Sequence, residues 1–570
     1  MSSRTAAQQL VSAFRRHGVE VTFGQSLPSA FQLEATATGI RQMAYRQENM
    51  GGAMADGYAR ISHKVSVVTA QNGPAAALLV APLSEALKVS IPIVALVQEV
   101  ARKTTDKNAF QELDHIRLFD ACAKWVRRID SADRIDDYVD LAFTIAATGR
   151  PGPVVLLVPA DVLLEPEIET PRLAAPGSFP LDRTAPDPYA VAEAAALLAG
   201  AERPLVIAGG GIHISDAAEE LAQLQERCHL PVATTVMGKG SVAETHPLSL
   251  GIVGYFMGSG ARTRDLRALV ADADVILLVG TKANQNGTDS WSLYPSAAKY
   301  IHLDIDGAEV GRNYRAARLI GDARLGLTAL REALLEAGVE KRAAGRAALE
   351  AAIAKGLASF RTLTAAISTE DRVPVRPERL MHDLDSLLTP ETIVVADASY
   401  SSIWMANYLT ARTVGARFIA PRGLAGLGWG LPLALGAKAA KPESPVVVLA
   451  GDGGFAHSWA ELETAVRLKL PVVTIVLNNR VLGYQKDAED VKFGHHTDAC
   501  YFSPVDHAAI ARACGANGVR VERPEAFRPA LEAALASTVP TLIDVITDPE
   551  ARPPLTFFED KFETPFAATR

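Results

Sequence analysis

Short runs of apolar, mostly β-branched residues alternate with amphipathic helical patterns from one end of the chain to the other. The runs at 154–158, 275–279 and 472–477 contain no charged residue, which is typical of strands that are buried on both faces. Strands that alternate with helices form parallel sheets flanked by helices. The pattern therefore predicts an α/β protein built from doubly wound parallel sheets.

The alternation divides into three blocks, and the first connector between them runs from Pro166 to Pro188. We expect three domains and a tail, with boundaries at 1–165, 189–345, 372–550 and 551–570. The first and third blocks are alike in size and pattern. At the end of the central block, the composition, rich in Ala, Glu and Arg, predicts a helical stretch from Leu330 to Phe360. The tail has no clear periodicity, so it either packs over another surface or frays.

Composition narrows the class of protein. A length of 570 residues fits about three or four domains. With 48% hydrophobic and 21% charged residues, the chain is neither disordered nor fibrous. The net charge of −8 argues against nucleic acid as the main partner. Four scattered cysteines indicate neither a disulfide framework nor a zinc site, and no run approaches the roughly 18 apolar residues of a membrane span. We expect a cytoplasmic protein with no membrane partner.

The strongest chemical signal lies in the third block, where two successive buried strands end in polar residues. The first ends in Gly451-Asp452-Gly453-Gly454 and the second in Asn478-Asn479, with a helical pattern between them. In a right-handed βαβ unit both strands point the same way, so Asp452 and Asn479 emerge at the carboxyl edge of one sheet. Glycines beside Asp452 let the backbone approach a phosphate closely, and the start of a helix offers unpaired N–H groups.

The same residues predict a metal site. A carboxylate from Asp452, an amide oxygen from Asn479 and a backbone carbonyl just beyond it, that of Val481, are the hard oxygen ligands that suit Mg²⁺. Such an ion would bridge to a diphosphate. A Gly-Asp-Gly alone is most often only a turn. The second element, 27 residues after Asp452 and behind another buried strand, makes the combination specific.

These residues resemble the signature of thiamine-diphosphate-dependent enzymes, a Gly-Asp-Gly followed by a helix, a strand and Asn-Asn. Further matches in family order span nearly the whole chain, at Gly52–Arg60, Asn108–Glu112, Gly149–Pro153, His302–Asp306 and Gly426–Pro432. The chain is most similar to the acetolactate synthase large subunits of the acetolactate synthase and pyruvate decarboxylase superfamily. The resemblance implies a pyrimidine-binding first domain, a central domain and a diphosphate-binding third domain.

The resemblance also implies roles for individual residues. Glu48 would hydrogen-bond the aminopyrimidine of the cofactor, Leu427 would prop the cofactor in its bent shape, and the Ala425 carbonyl would receive the 4′-amino group. Gln111 and Phe110 would border the substrate. The other implied cofactor contacts are Gly73, Pro74, Gly451, Asp452, Gly453, Gly454, Asn479, Leu482 and Gly483. Without the resemblance, Glu48 would be read as a solvated glutamate beside Arg46. Leu427 could equally be a core leucine, and Gln111 a surface-loop glutamine.

The central block leaves its ligand open. Gly209–Gly211 follows a strand, but Ile214 occupies the third glycine position of a Gly-x-Gly-x-x-Gly pattern, which argues against a nicotinamide site. Acetolactate synthases hold FAD in this domain and carry an Arg-Phe-Asp-Asp-Arg run there. The corresponding segment here, Gly280–Gly287, lacks that run. FAD, ADP or another nucleotide, and an empty structural domain therefore all stay open.

The resemblance implies decarboxylation of a 2-oxo acid, first of all pyruvate, with carboligation of the product to a carbonyl acceptor. The acceptor is not fixed, because Gln47 replaces a histidine of many relatives, and Lys486 and Ala488 stand where relatives carry Arg and Trp. The pair His495-His496 could also face a substrate. Three alternatives remain: a simple 2-oxo acid decarboxylase, a C–C lyase for 2-hydroxyacyl-CoA or diketones, and a non-catalytic binding or regulatory member. In relatives two subunits share each site, which implies a homodimer or homotetramer.

Overall fold

The structure is a computed structural model that describes residues 4–168 and 178–562. It contains three six-stranded sheets, one after another along the chain, and helices alternate with the strands. The predicted α/β fold with three parallel sheets is confirmed. Residues 1–3, part of the first connector (169–177) and the end of the tail (563–570) lie outside the described residues.

The first sheet is formed by β1 (Val21–Phe23), β2 (Arg41–Met43), β3 (Ser66–Ala70), β4 (Ile93–Glu99), β5 (Trp125–Arg128) and β6 (Val154–Pro159). The strands lie in the order β2-β1-β3-β4-β6-β5. The helices of this block are α1 (Ala6–Arg16), α2 (Ser29–Ala37), α3 (Glu48–Ser62), α4 (Pro74–Leu78), α5 (Val80–Val89), α6 (His115–Asp120) and α7 (Ile135–Ala147). Every residue of β3 and β6 is buried, so both faces of this sheet are covered.

The central sheet is formed by β7 (Pro204–Ala208), β8 (Val232–Thr234), β9 (Ser249–Ile252), β10 (Val275–Val279), β11 (Lys299–Asp304) and β12 (Ala316–Ile320), in the order β12-β11-β10-β7-β8-β9. Its helices are α8 (Pro188–Ala199), α9 (Gly211–Ile214), α10 (Ala218–Arg227), α11 (Arg267–Ala271), α12 (Ala323–Ala337) and α13 (Glu340–Ser368). The predicted helical stretch from Leu330 to Phe360 is helical except at residues 338 and 339, where Gly338, with a φ of 102°, ends α12 before α13 begins.

The third sheet is formed by β13 (Ile393–Ala396), β14 (Phe418–Ile419), β15 (Val446–Gly451), β16 (Val473–Asn478), β17 (Asn517–Val521) and β18 (Thr541–Ile546). Its order, β14-β13-β15-β16-β18-β17, repeats that of the first sheet. Its helices are α14 (Pro377–Leu387), α15 (Tyr400–Tyr408), α16 (Gly430–Ala440), α17 (Asp452–Phe455), α18 (Glu461–Arg467), α19 (Gly483–Phe493), α20 (His507–Ala513) and α21 (Phe527–Leu535).

The first and third domains pack tightly against each other through α3 and α16. A Cβ atom at Gly57 of α3 would overlap the carbonyl oxygen of Leu433, and a Cβ atom at Gly436 of α16 would overlap the carbonyl oxygen of Met54. Each helix thus uses a glycine to bring its backbone against the backbone of the other. This contact fixes how the two domains sit in one chain.

The described part of the tail packs over a surface. Leu555 and Phe558 are buried in an apolar cluster with Phe256 of the central domain and Ile403 of α15. The Phe558 ring also meets the Tyr400 ring edge-on, with 6.2 Å between the centroids. Along residues 4–168 and 178–562, the chain forms no helix with the length and apolar character that a bilayer crossing needs.

Candidate active site

The carboxyl edge of the third sheet brings together the residues of the predicted diphosphate site. Strands β15 and β16 are neighbours in parallel register, with Gly451 opposite Leu477, so both end at the same edge. Asp452 begins α17 directly after β15, and Asn479 follows β16. One cavity lies there, and its lining includes Leu427, Gly451, Asp452, Gly453, Gly454, Asn479, Val481, Leu482 and Gly483. These residues are distant in sequence and were all expected at the cofactor.

Asp452 is a buried carboxylate at the start of α17. Its side chain is 6% exposed, and Oδ2 accepts a hydrogen bond from the Arg480 backbone N–H at 2.9 Å. Burial raises the pKa of Asp452 to about 6, although backbone donors oppose the shift. Oδ1 of Asn479 accepts from the Val481 N–H at 3.1 Å, which turns the chain after β16 back toward Asp452. A buried carboxylate beside amide and carbonyl oxygens is a donor set that fits Mg²⁺.

The aspartate at the end of the neighbouring strand was missed by sequence reasoning. Asp397 follows β13 directly and is 1% exposed. Its carboxylate accepts backbone N–H groups from Ala398 at 2.9 Å, Gly428 at 2.9 Å and Trp429 at 3.1 Å. Burial raises the pKa of Asp397 to about 6. Asp397 therefore holds the turn that carries Leu427, and its place immediately after a buried strand, like that of Asp452, was the available signal.

Glycine is required at one position of the predicted motif. A Cβ atom at Gly454 would overlap Oδ2 of Asp397, the group that holds the neighbouring turn. At Gly451, by contrast, the nearest atom to such a Cβ would be the Ser401 hydroxyl oxygen, 3.9 Å away. The close approach of Gly454 thus lets the start of α17 reach the turn around Leu427, while the backbone at Gly451 stays accessible to a ligand.

Glu48 is the first residue of α3 and is half-buried. The third domain braces the chain just before it, because the buried Glu461 accepts the backbone N–H groups of Arg46 at 3.1 Å and of Gln47 at 3.2 Å. Burial raises the pKa of Glu461, and these donors oppose the shift. Glu48 does not line the cavity at Asp452 within the described part of the chain.

A second buried glutamate makes the reciprocal contact. Glu85, on α5 of the first domain, accepts the backbone N–H of Gly423 at 2.7 Å and that of Leu424. The next residue, Ala425, is a predicted cofactor contact and adopts a φ of 61°, which a residue with a side chain rarely takes. Each domain therefore supplies a buried carboxylate that holds the loop before a cofactor-binding segment of the other. Sequence reasoning found neither glutamate.

The predicted substrate residues lie on a loop of the first domain. Phe110 is 84% exposed, and Gln111 adopts a φ of 61° beside the Gly73–Pro74 turn that begins α4. A Cβ atom at Gly73 would lie 2.7 Å from the Gln111 carbonyl oxygen, so the two loops are in backbone contact. Within the described parts of this chain, the cavity at Asp452 is not lined by Phe110, Gln111, Gly73 or Pro74.

The residues expected near the acceptor make other contacts. The buried Lys486 ammonium pairs with Glu550 at 3.0 Å, and Lys486 does not line the described cavity at Asp452. Nδ1 of His496 lies 2.8 Å from Oδ1 of Asp490, and Nδ1 of the exposed His495 lies 3.1 Å from the Phe493 carbonyl oxygen. The three side chains thus engage protein groups in this chain.

A larger cavity of about 480 Å³ lies at the carboxyl ends of β7 and β10. These neighbouring strands are where the strand order of the central sheet reverses, the usual ligand position in such sheets. Gly210, Gly211 and Gly280 contribute backbone to its wall, and Arg150 and Lys282 contribute positive charge. Its size, its glycine backbone and its cationic side chains fit a nucleotide with a diphosphate.

Comparisons with known proteins agree along the whole chain. Three family models of thiamine pyrophosphate enzymes match. The N-terminal thiamine pyrophosphate binding domain matches residues 4–118, and the central domain matches residues 191–330. The C-terminal thiamine pyrophosphate binding domain matches residues 397–545. The chain is 33% identical to a probable acetolactate synthase large subunit of Methanocaldococcus jannaschii, over 96% of this chain and 93% of that protein. It is 33% identical to the acetolactate synthase large subunit of Parasynechococcus marenigrum, over 95% of this chain and 87% of that protein. It is 30% identical to the chloroplastic acetolactate synthase of Arabidopsis thaliana, over 95% of this chain and 81% of that protein.

Proposed function

This chain belongs to the acetolactate synthase large-subunit family of thiamine-diphosphate-dependent enzymes, and we propose that it is a carboligase acting on pyruvate. It would decarboxylate pyruvate and join the two-carbon unit to the carbonyl group of a second 2-oxo acid. The observation that carries the proposal is the single cavity around Asp452, Asn479 and Leu427 at one sheet edge. Bound thiamine diphosphate supplies a carbon nucleophile and an electron sink for the release of CO₂.

The residues of the chain would bind and orient the cofactor. Asp452, Asn479 and the Val481 carbonyl would hold Mg²⁺ and, through it, the diphosphate. Leu427 would support the ring system from a turn that Asp397 keeps rigid. Glu48 would hydrogen-bond the aminopyrimidine and share a proton with it. Asp452 and Val481 are buried and Glu48 is half-buried, which limits the access of water that would compete for these hydrogen bonds.

Product analysis tests the proposal. The purified protein, supplied with thiamine diphosphate, Mg²⁺ and pyruvate, should release CO₂ and form a 2-aceto-2-hydroxy acid. The Asp452→Asn variant is the control for reactions of the free cofactor and should form no product. Acetaldehyde as the sole product would instead show a simple decarboxylase. Turnover of a diketone or a 2-hydroxyacyl-CoA, but not of pyruvate, would show a lyase.

We also propose that two subunits share each active site. In support, Glu48 lies apart from the cavity at Asp452 among the described residues of one chain, although both would contact one cofactor. Two inactive variants, Glu48→Gln and Asp452→Asn, should therefore complement each other when co-expressed. Random pairing makes half of the dimers mixed, and each mixed dimer has one intact site, so about a quarter of wild-type activity should return. A co-expressed mixture as inactive as the separate variants would show that each chain builds its own site.

For the central domain we propose a bound nucleotide, with FAD as the candidate that the family implies. The cavity of about 480 Å³ and its position at the strand-order reversal support this assignment. A visible absorption spectrum of the purified protein tests for flavin. Release of ADP or another nucleotide on denaturation, without a flavin band, would favour the other candidates.

A further inference from the structure

The loop 71–73 and the loop around Gln111 are joined by side-chain hydrogen bonds. The Asn72 amide donates to the carbonyl oxygens of Phe110 at 3.2 Å and Gln111 at 3.0 Å. The Gln71 amide donates to Oε1 of Gln111 at 2.7 Å. Since its oxygen is already engaged, the Gln111 side chain offers its N–H₂ group to a ligand. That group suits the carboxylate or carbonyl oxygen of a 2-oxo acid.

A buried histidine that the proposed chemistry does not use stands behind these loops. His115 begins α6 and is 2% exposed. Its Nε2 atom lies 3.0 Å from the Gly73 backbone nitrogen, and its Nδ1 atom lies 3.1 Å from Oε1 of Glu99. A backbone N–H can only donate, so Nε2 must accept and the ring hydrogen must sit on Nδ1, where it donates to Glu99. The two contacts together select one neutral tautomer.

Glu99 is itself held in place by a cation. It ends β4 with its side chain buried, and Arg128 of β5 donates to Oε1 at 3.0 Å and also to Oε2. Burial by itself would raise the pKa of Glu99, but the hydrogen bonds from His115 and Arg128 bring it below its usual value. Glu99 therefore remains a carboxylate that can accept from His115. A chain of contacts runs from the sheet through Arg128, Glu99 and His115 to the Gly73 amide.

We propose that His115 is a positioning residue for the reaction: by accepting the Gly73 N–H it fixes the loop 71–73, and that loop sets the Gln111 side chain toward the 2-oxo acid. The inference rests on the proposed function, because it gives Gln111 a substrate to bind. A purely structural histidine would affect stability alone. A positioning histidine must also change how the substrate binds and reacts.

Three variants separate these roles. His115→Leu removes both hydrogen bonds, whereas His115→Gln keeps an acceptor near the position of Nε2. His17→Leu is the matched control: His17 is a buried histidine of the same domain, and it too lies against a carboxylate, with Nε2 2.8 Å from Oδ1 of Asp140. It sits at the end of α1, outside the predicted cofactor and substrate contacts.

For His115→Leu we expect kcat/KM for pyruvate to fall about 10- to 100-fold, because a small displacement of an orienting group has effects of that size. The Kd of thiamine diphosphate with Mg²⁺ should change less than kcat/KM does, by under about tenfold, since Asp452 and Asn479 are untouched and only the predicted cofactor contacts at Gly73 and Pro74 are loosened. His115→Gln should recover kcat/KM to within about fivefold of wild type, and His17→Leu should stay within about twofold. Equal kinetics for His115→Leu and His17→Leu, or no recovery in His115→Gln, would overturn the proposal.

Hydrogen exchange read by mass spectrometry gives an answer without turnover. Peptides that cover residues 71–75 should exchange faster in His115→Leu than in wild type, and the His115→Gln variant should restore protection. Unchanged exchange in His115→Leu would show that His115 does not hold the loop. If the wild-type protein does not consume 2-oxo acids, the proposed function fails, and the exchange difference still decides whether His115 fixes this loop.

Discussion

Replacing Glu48 with glutamine should lower the turnover of 2-oxo acids about 10²- to 10⁴-fold, the range by which a positioned acid or base accelerates proton transfer. Glutamine has nearly the same shape and can still hydrogen-bond the aminopyrimidine. It cannot share a proton with it. Because the loop before Glu48 is braced by Glu461 through backbone N–H groups, the substitution should leave that contact intact. The rate of CO₂ release at saturating cofactor measures the effect.

Cofactor binding must be followed in the same variant. Calorimetry with thiamine diphosphate and Mg²⁺ should show a Kd within about tenfold of wild type, since the diphosphate end is unchanged. Glu20→Gln is a suitable control, because Glu20 is an exposed glutamate of the same domain that pairs with Lys64 on the surface. A Glu48→Gln enzyme as fast as wild type would remove Glu48 from the mechanism.

Replacing Asp452 with asparagine should weaken the Mg²⁺-dependent binding of thiamine diphosphate by more than about 100-fold and abolish activity with it. Even changes around the ligands of a metal typically cost about 10- to 100-fold in metal affinity, and this change removes the one charged ligand that we propose. Asparagine can still accept the Arg480 N–H, so the turn after β16 keeps its contact. Calorimetry of the complete protein measures the affinity.

Thermal stability provides the control for folding. Without ligand, Asp452→Asn should melt within a few degrees of wild type. With cofactor and Mg²⁺, wild type should be stabilised, because a ligand that binds only the folded state raises its stability. The Asp452→Asn variant should not be stabilised by cofactor and Mg²⁺. Asp371→Asn changes a 72% exposed aspartate just before the third domain and should behave as wild type. Normal stabilisation of Asp452→Asn by the cofactor would place the metal elsewhere.

The apolar pattern predicted inner strands of each sheet, such as β6, β10 and β16, and missed the edge strands together with a few inner strands such as β18. Strands such as β10 and β13 are wholly buried and therefore uniformly apolar. The edge strand β2 reads Arg41-Gln42-Met43, and β14 has only two residues, so neither carries an apolar run that a pattern could detect. In β17 exposed and half-buried residues alternate up to Val521. Strands at an edge owe their pairing to the neighbouring strand more than to their own residues.

The site was predictable where its residues follow strands, and less so where they act across domains. Asp452 and Asn479 were found because each ends a buried strand at the same sheet edge. Glu85 and Glu461 brace loops more than 300 residues away in sequence, and such pairings exist only once the domains have packed. Lys486 was expected near the acceptor, and its ammonium instead pairs with Glu550 of the C-terminal segment, a contact that no local pattern encodes.

The reciprocal contacts of Glu85 and Glu461 limit how the first and third domains can be separated from each other. If the first or third domain were expressed as a separate fragment, its glutamate would lose the backbone donors that the other domain supplies. Chimaeras that exchange one of these domains between homologues would have to preserve the paired glutamates and the glycine contact of α3 with α16. The first and third domains would therefore have to be exchanged together, although the central domain lies between them in the sequence.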